Sequence, residues 1–168
     1  MLKETGIPTQ SDIEEKIPKK ERLERGPVAI IECFTSIPCD PCYHSCPVHA
    51  IEEFADINDM PVLDFDKCTG CGMCIAQCPG QAIFVVDYSF SEDRGIVKIP
   101  YEFLPVPEEG EEVIALNRAG EEIGTAIVEK VQSTKVFDRT RIVWLSVPKD
   151  KLMEVRNFKV KEGMNSDD

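Results

Sequence analysis

The apolar residues of this chain fall into short runs, each bounded by proline, glycine or charge. "PVAIIE" (27–32), "QAIFVVDY" (81–88), "GIVKIPYEF" (95–103) and "RIVWLSV" (141–147) are rich in Val and Ile, residues that suit a pleated, buried surface. They predict strands, with "SFSEDR" (89–94) turning the second and third into a hairpin. "VIAL" (113–116), "EEIGTAIVEKVQ" (121–132) and "VRNFKV" (155–160) predict further strands, with "NRAG" (117–120) as a turn and one helical turn started by Pro148. Helical patterning is sparse. "SDIEEKI" opens with a capping-box pair, Ser11 and Glu14, "KKERLERG" is a second short piece, and "VHAIEEFADI" (48–57) predicts a third.

The punctuation divides the chain. Residues 1–26 read as an N-terminal arm with too little apolar face to be stable alone, suited to packing on a partner. Residues 27–103 hold every cysteine. "LPVPEEGEE" (104–112) breaks the pattern, so that 104–160 reads as a small, mostly-β module and 161–168 as a tail. Within the second segment one order occurs twice, strand, cysteine run, short helix, strand, at a spacing of about 30 residues.

No apolar run approaches the ~18 residues of a membrane span, and the first residues lack the basic-then-apolar pattern of a secretory signal. A cytoplasmic protein without membrane insertion is the expectation. The formal net charge is -12, from 31 acidic and 19 basic residues. That argues against a nucleic-acid partner, which clustered Lys and Arg would serve, and favours basic partner surfaces. The eight cysteines lie between residues 33 and 78. Thiols in a reducing compartment point to metal rather than to disulfides.

The second cysteine group, Cys68-x2-Cys71-x2-Cys74-x3-Cys78-Pro79, suits an iron–sulfur cluster. Three thiolates spaced two residues apart wrap one cluster from a single tight loop, and the fourth points away from it. Gly70 and Gly72 suit the turn. The first group, Cys39-x2-Cys42-x3-Cys46-Pro47, lacks the leading cysteine; Ser36 stands there, and Cys33 lies three residues further upstream.

Both runs, with their trailing prolines, resemble the two-cluster bacterial-type ferredoxins over roughly residues 28–100. The resemblance implies an α+β, ferredoxin-like pseudo-twofold domain holding two 4Fe–4S clusters, with ligands exchanged between halves. Carried over by position, cluster B takes Cys46, Cys68, Cys71 and Cys74, and cluster A takes Cys39, Cys42, Cys78 and one more. Cys33 is the cysteine left over. A longer "FTSIP" loop lets it reach the fourth corner; if it is instead a structural thiol, cluster A has three ligands and settles as a three-iron form. Ser36 is a poor match for soft iron–sulfide chemistry. A pair of zinc sites is the competing reading of eight cysteines.

His44 and His49 read as residues near the clusters rather than ligands, Tyr43 and Phe65 as shielding, and Trp144 as core of the β module. Pro38 and Pro41 each remove an amide donor and Asp40 adds a negative charge, whereas Thr69–Met73 keeps every N–H. Cluster A is therefore expected at the lower potential. No catalytic site is legible. The expected function is electron transfer, as a relay subunit of an oxidoreductase complex; the alternatives are a stand-alone ferredoxin or a zinc-stabilised interaction module. "IECFTSIPCDPCYHSCP" with the following β module is also similar to small iron–sulfur subunits of flavin-containing amine or amino-acid dehydrogenases of the proline and hydroxyproline type. That resemblance implies a flavoprotein partner, which would carry the flavin and the substrate.

Overall fold

The computed structural model describes residues 2–161, so the expected tail lies outside them from position 162 onward. The arm forms three short helices, α1 (Leu2–Thr5), α2 (Gln10–Glu14) and α3 (Lys20–Leu23). The capping box of α2 is Thr9 with Asp12, two residues ahead of the expected pair, so Ser11 falls inside the helix. The arm packs on the chain's own body. Ile13 is buried, Leu23 joins the core, and Arg22 donates to the carbonyls of Phe65 and Cys68 (2.6 and 2.7 Å) and of Pro27 and Gly26 (3.1 and 3.2 Å).

β1 (Val28–Ile31), β2 (Ile83–Asp87), β3 (Arg94–Tyr101), β4 (Glu112–Leu116), β5 (Glu122–Gln132), β6 (Arg141–Pro148) and β7 (Asn157–Lys159) form one antiparallel sheet in the order β1-β2-β3-β6-β5-β4-β7. The sheet crosses the proline-rich stretch at 104–112. β3 pairs with β6 along its whole length, from Arg94↔Pro148 to Tyr101↔Arg141, so strands on either side of that stretch share one ladder.

β1, β2, β3 and β6 are buried on both faces, which is why they read as apolar runs interrupted only at Lys98 and Ser146 within their spans, whereas β4 and β5 expose one face. Val28, Ile30, Val86, Val97 and Leu145 pack on one face with Leu152, Val155 and Phe158. Ala29, Ile31, Ile83, Val85 and Ile142 pack on the other, against Ile75 and the cysteine loops. The sheet also curls until its ends meet. Glu32, one residue past β1, accepts from Arg118 at 2.6 and 2.9 Å and from Arg156 at 2.7 Å, and those arginines flank β4 and β7. All three side chains are largely buried.

The cysteine region departs from the sequence reading at its helices and at the short strand expected over 61–65, of which only an isolated bridge at Leu63 forms. Residues 48–57 are not helical; the helices are instead α4 (Pro41–Ser45) and α5 (Met73–Gln77), within the cysteine runs themselves. Pro47 follows α4 at once, and His49 takes a left-handed φ of 50°. The Ala50 amide, which a continuing helix would aim at the Cys46 carbonyl, donates to the Cys46 sulfur at 3.2 Å. Ile51 then bridges to Leu63. Among the described residues no helix is long and apolar enough to cross a membrane.

Candidate metal centres

Each cysteine run is positioned by a repeated local path, 32 residues apart. Cys46 and Cys78 end α4 and α5 with nearly the same backbone, φ -78°, ψ 108° and φ -77°, ψ 112°. His49 and Gln81 follow at φ 50° and 51°. The Ala50 and Ala82 amides then donate to the Cys46 and Cys78 sulfurs, at 3.2 and 3.4 Å. The strand contacts repeat as well. Ile31 pairs with Ile83, and their counterparts Leu63 and Ile51 bridge to each other.

The paths bring the eight thiols together in two groups of four. Cys33, Cys39, Cys42 and Cys78 line one cavity, here called site A, with Ile31, Ile83 and Asp59. Cys46, Cys68, Cys71 and Cys74 line the other, site B, with Ala29, Ile51 and Leu63. Each group draws its fourth thiol from the other run. Cys33 stands in site A, and the Ser36 hydroxyl is engaged elsewhere, donating to the Asn58 carbonyl at 2.5 Å.

Burial and neighbouring thiols disfavour the charged form of Cys39, Cys42 and Cys74. Burial first, then the Cys78 charge, pushes Cys42 up to about 11. Burial, then Cys68, Cys71, Cys46 and Cys42, pushes Cys74 up to about 12. Cys39 is raised for the same reasons, with Asp40 adding to them. Four thiols lining a cavity suit a group whose own positive charge replaces their protons. Four thiols at one site would also suit a tetrahedral zinc. The donor sets fit a polynuclear iron–sulfur group.

Amide donors favour site B. Cys68 accepts from Ala29 and Gly70, both at 3.4 Å, and Cys46 accepts from Ala50. In site A, Cys78 accepts from Ala82, and the Tyr43 amide favours the Cys42 thiolate. Gly70 is the residue that lets the site B loop lie against β1. Its φ is +64°, and a Cβ there would stand 2.6 Å from the Pro27 carbonyl carbon. Gly70→Ala is expected to cost at least ~1–2 kcal/mol for the left-handed conformation alone, and to lower the iron content. Gly80→Ala, whose Cβ meets nothing within 4 Å, is the control. Urea denaturation with an iron assay on both variants checks this.

The remaining sequence candidates stand nearby. His44 is exposed and bonds Asp40 at 3.1 Å, with its ring against Tyr43. His49 serves through its backbone turn. Tyr43 packs on Phe54 beside site A, and Phe65 packs on the opposite core. Trp144 faces the cysteine side of the sheet, against the layer that contains the thiols. Sequence reasoning missed Arg22 and Lys98. Arg22 had no readable signal, but Lys98 had one, as a lone charge inside the apolar run of β3.

Comparison with known proteins agrees with this chemistry. Residues 61–84, which include Cys68, Cys71, Cys74 and Cys78, match the 4Fe-4S binding domain family. Over 66 residues the chain is 35% identical to the ferredoxin-type protein NapF of Haemophilus influenzae, a stretch covering 37% of this chain and 38% of that one. Over 47 residues it is 43% identical to the pyruvate synthase subunit PorD of Methanocaldococcus jannaschii, covering 28% and 52% of the two chains. An uncharacterized ferredoxin of the same organism is 37% identical over 65 residues, covering 38% of each chain. The chain thus spans about 38% to 52% of the length of these curated relatives. No solved structure matches. The chain carries an iron–sulfur, ferredoxin-like segment.

Proposed function

We propose that this chain is an electron-transfer protein holding two 4Fe–4S clusters, at sites A and B, and that it works as a relay subunit of a larger oxidoreductase complex with a flavoprotein partner. The division of eight thiols, four and four, between two adjoining cavities carries the reading. A cluster bound at such a site supplies one-electron oxidation and reduction. The chain's own residues do the rest. Ile31, Ile83 and Leu63 keep water from the inner walls, and the amides at Ala29, Ala50, Gly70 and Ala82 stabilise the ligating sulfurs. Cys71 is exposed, giving site B an edge at the surface.

The relay role draws support from the surface and from the relatives. Ile37, Ile57, Met60 and Val62 are exposed on or beside the loops of site A, a cover that a docked partner would bury. Asp56 and Asp59 stand among them, suiting a basic partner surface. PorD is by name a subunit of an enzyme. The flavoprotein rests on the sequence likeness of residues 31–47 and the following β module.

Anaerobic iron and acid-labile sulfide analysis tests the cluster reading, with about eight of each expected per chain. A count near four, or zinc in place of iron, would overturn it. Gel filtration of natively expressed protein tests the rest: a co-eluting flavin absorbance is expected, and elution as a lone chain would favour a free ferredoxin.

A further inference from the structure

Lys98 is 6% exposed in the middle of β3, on the face that carries the cysteine loops. Its neighbours across the ladder are Val85 on β2 and Trp144 on β6, and Trp144 is in turn paired with Lys130 on β5 through a bulge after Val128. The ammonium lies 4.1 Å from the centre of the Trp144 ring and donates to the Gly70 carbonyl at 2.8 Å. Gly70 lies between Cys68 and Cys71, whose amides and thiols shape site B. The Trp144 indole is itself held, donating to Gln132 at 2.7 Å. A buried lysine is costly unless something nearby needs its charge. Burial, and to a lesser degree Lys130 across the Trp144 ring, lower the Lys98 ammonium from its ordinary value, while Cys71, Asp87 and Cys68 favour the charge.

The surroundings of site A have the opposite sign. Asp59 lines its cavity, and Asp40 adds charge beside Cys39. Arg22 brings a second cation to site B, at the Cys68 carbonyl. Charge close to a cluster in a low-dielectric wall moves its potential, because reduction adds one negative charge that a nearby cation stabilises.

We propose that Lys98, fixed by Trp144 against the Gly70 carbonyl, is a positioning residue whose cation makes site B the higher-potential of the two centres, so that electrons run from site A toward the exposed Cys71 edge. This rests on the two-cluster reading above. It also gives the strands after residue 104 a part in the electron path. β6 supplies the ring that holds the ammonium, and β5 braces that ring.

An anaerobic redox titration followed by electron paramagnetic resonance, with the two signals assigned, tests it on the whole chain. In the native protein site B is expected to reduce first. Lys98→Gln keeps a donor for the Gly70 carbonyl but loses the charge; it is expected to lower the potential of site B while site A stays within error. Lys98→Arg is expected to restore most of the difference, and Lys159→Gln, an exposed lysine on β7 paired with Glu122, to leave both potentials unchanged. If Lys98→Gln loses the cluster, Trp144→Phe carries the test. The smaller Phe ring holds the ammonium less tightly without emptying the site, and there too the site B potential is expected to fall. Equal potentials in Lys98→Gln and native protein, no change in Trp144→Phe after cluster loss in Lys98→Gln, or site A reducing at or above site B in the native protein, would each overturn the proposal and leave two clusters in place. An iron count near four would instead remove the reading beneath it.

Discussion

Cys33→Ser is expected to lower the iron content from about eight per chain to between about four, if site A empties, and about seven, if it settles as a three-iron form. The expectation follows from geometry. Cys33 lines the same cavity as Cys39, Cys42 and Cys78, although it lies outside the regular spacing of its run. Serine keeps the size of the side chain and removes the soft donor, so a fall in iron reports ligation rather than packing. Ser36→Ala separates the two candidates for the fourth corner. Its hydroxyl is bonded to the Asn58 carbonyl, and the variant is expected to keep the native count. The measurement is iron and sulfide analysis beside electron paramagnetic resonance, where a three-iron form has its own oxidised signal. About eight irons in Cys33→Ser would make Cys33 a bystander.

Glu32→Ala is expected to destabilise the protein by about 3–5 kcal/mol, because it strands the buried Arg156 and leaves the less deeply buried Arg118 without its partner. Arg156 is 6% exposed, with its guanidinium 5.0 Å from the Phe84 ring. Without Glu32 its charge has the carbonyls of Leu152 and Val155 for company but no counter-ion among its hydrogen-bond partners. A loss of this size is a large share of the total stability of an ordinary domain. Glu32 also precedes Cys33, so the same change loosens the backbone that brings that thiol to site A. Glu32→Gln isolates the charge. Burial pushes the Glu32 carboxyl up, but the Arg118 hydrogen bond and the charges of Arg156 and Arg118 outweigh it, leaving it below its ordinary 4.5. A carboxyl depressed by folding stabilises above its unfolded value, and the contribution is lost as pH falls through the folded one. The gap in urea midpoint between native protein and Glu32→Gln is therefore expected to be full near neutrality and to close below about pH 4.5. A gap unchanged down to pH 3 would show that the ion pair contributes little.

How much of this was legible depends on whether the determining contacts are local. The chelating run Cys68–Cys78 is local. Its spacing alone sets three thiols around a loop, and Gly70 and Gly72 carry the positive φ that the loop needs. The strands β1, β2, β3 and β6 were equally plain, because burial on both faces leaves few polar positions, Lys98 and Ser146 among them, to interrupt them. The helices were less plain. Residues 48–57 carry a helical pattern, yet the Cys-Pro turn and the amide-to-sulfur bond of Ala50 take the backbone elsewhere. A sulfur that accepts a backbone amide competes with helix formation in a way that residue propensities do not contain.

What the chain alone determined, then, is the chemistry: eight soft donors, two of their runs closing in Cys-Pro, and apolar segments able to bury them. The tertiary structure decided the company each group keeps. That β6 pairs with β3 across the proline-rich stretch is not written in either strand, since backbone hydrogen bonds are the same for every partner and only the fit of the buried faces selects one. That Glu32 meets Arg118 and Arg156, 86 and 124 residues away, follows from the curl of the whole sheet. That Lys98 stands under the site B loop follows from register, which also brings Trp144 alongside it. Electrostatic effects fall with distance and grow with burial, and neither distance nor burial between remote residues exists until the sheet has closed.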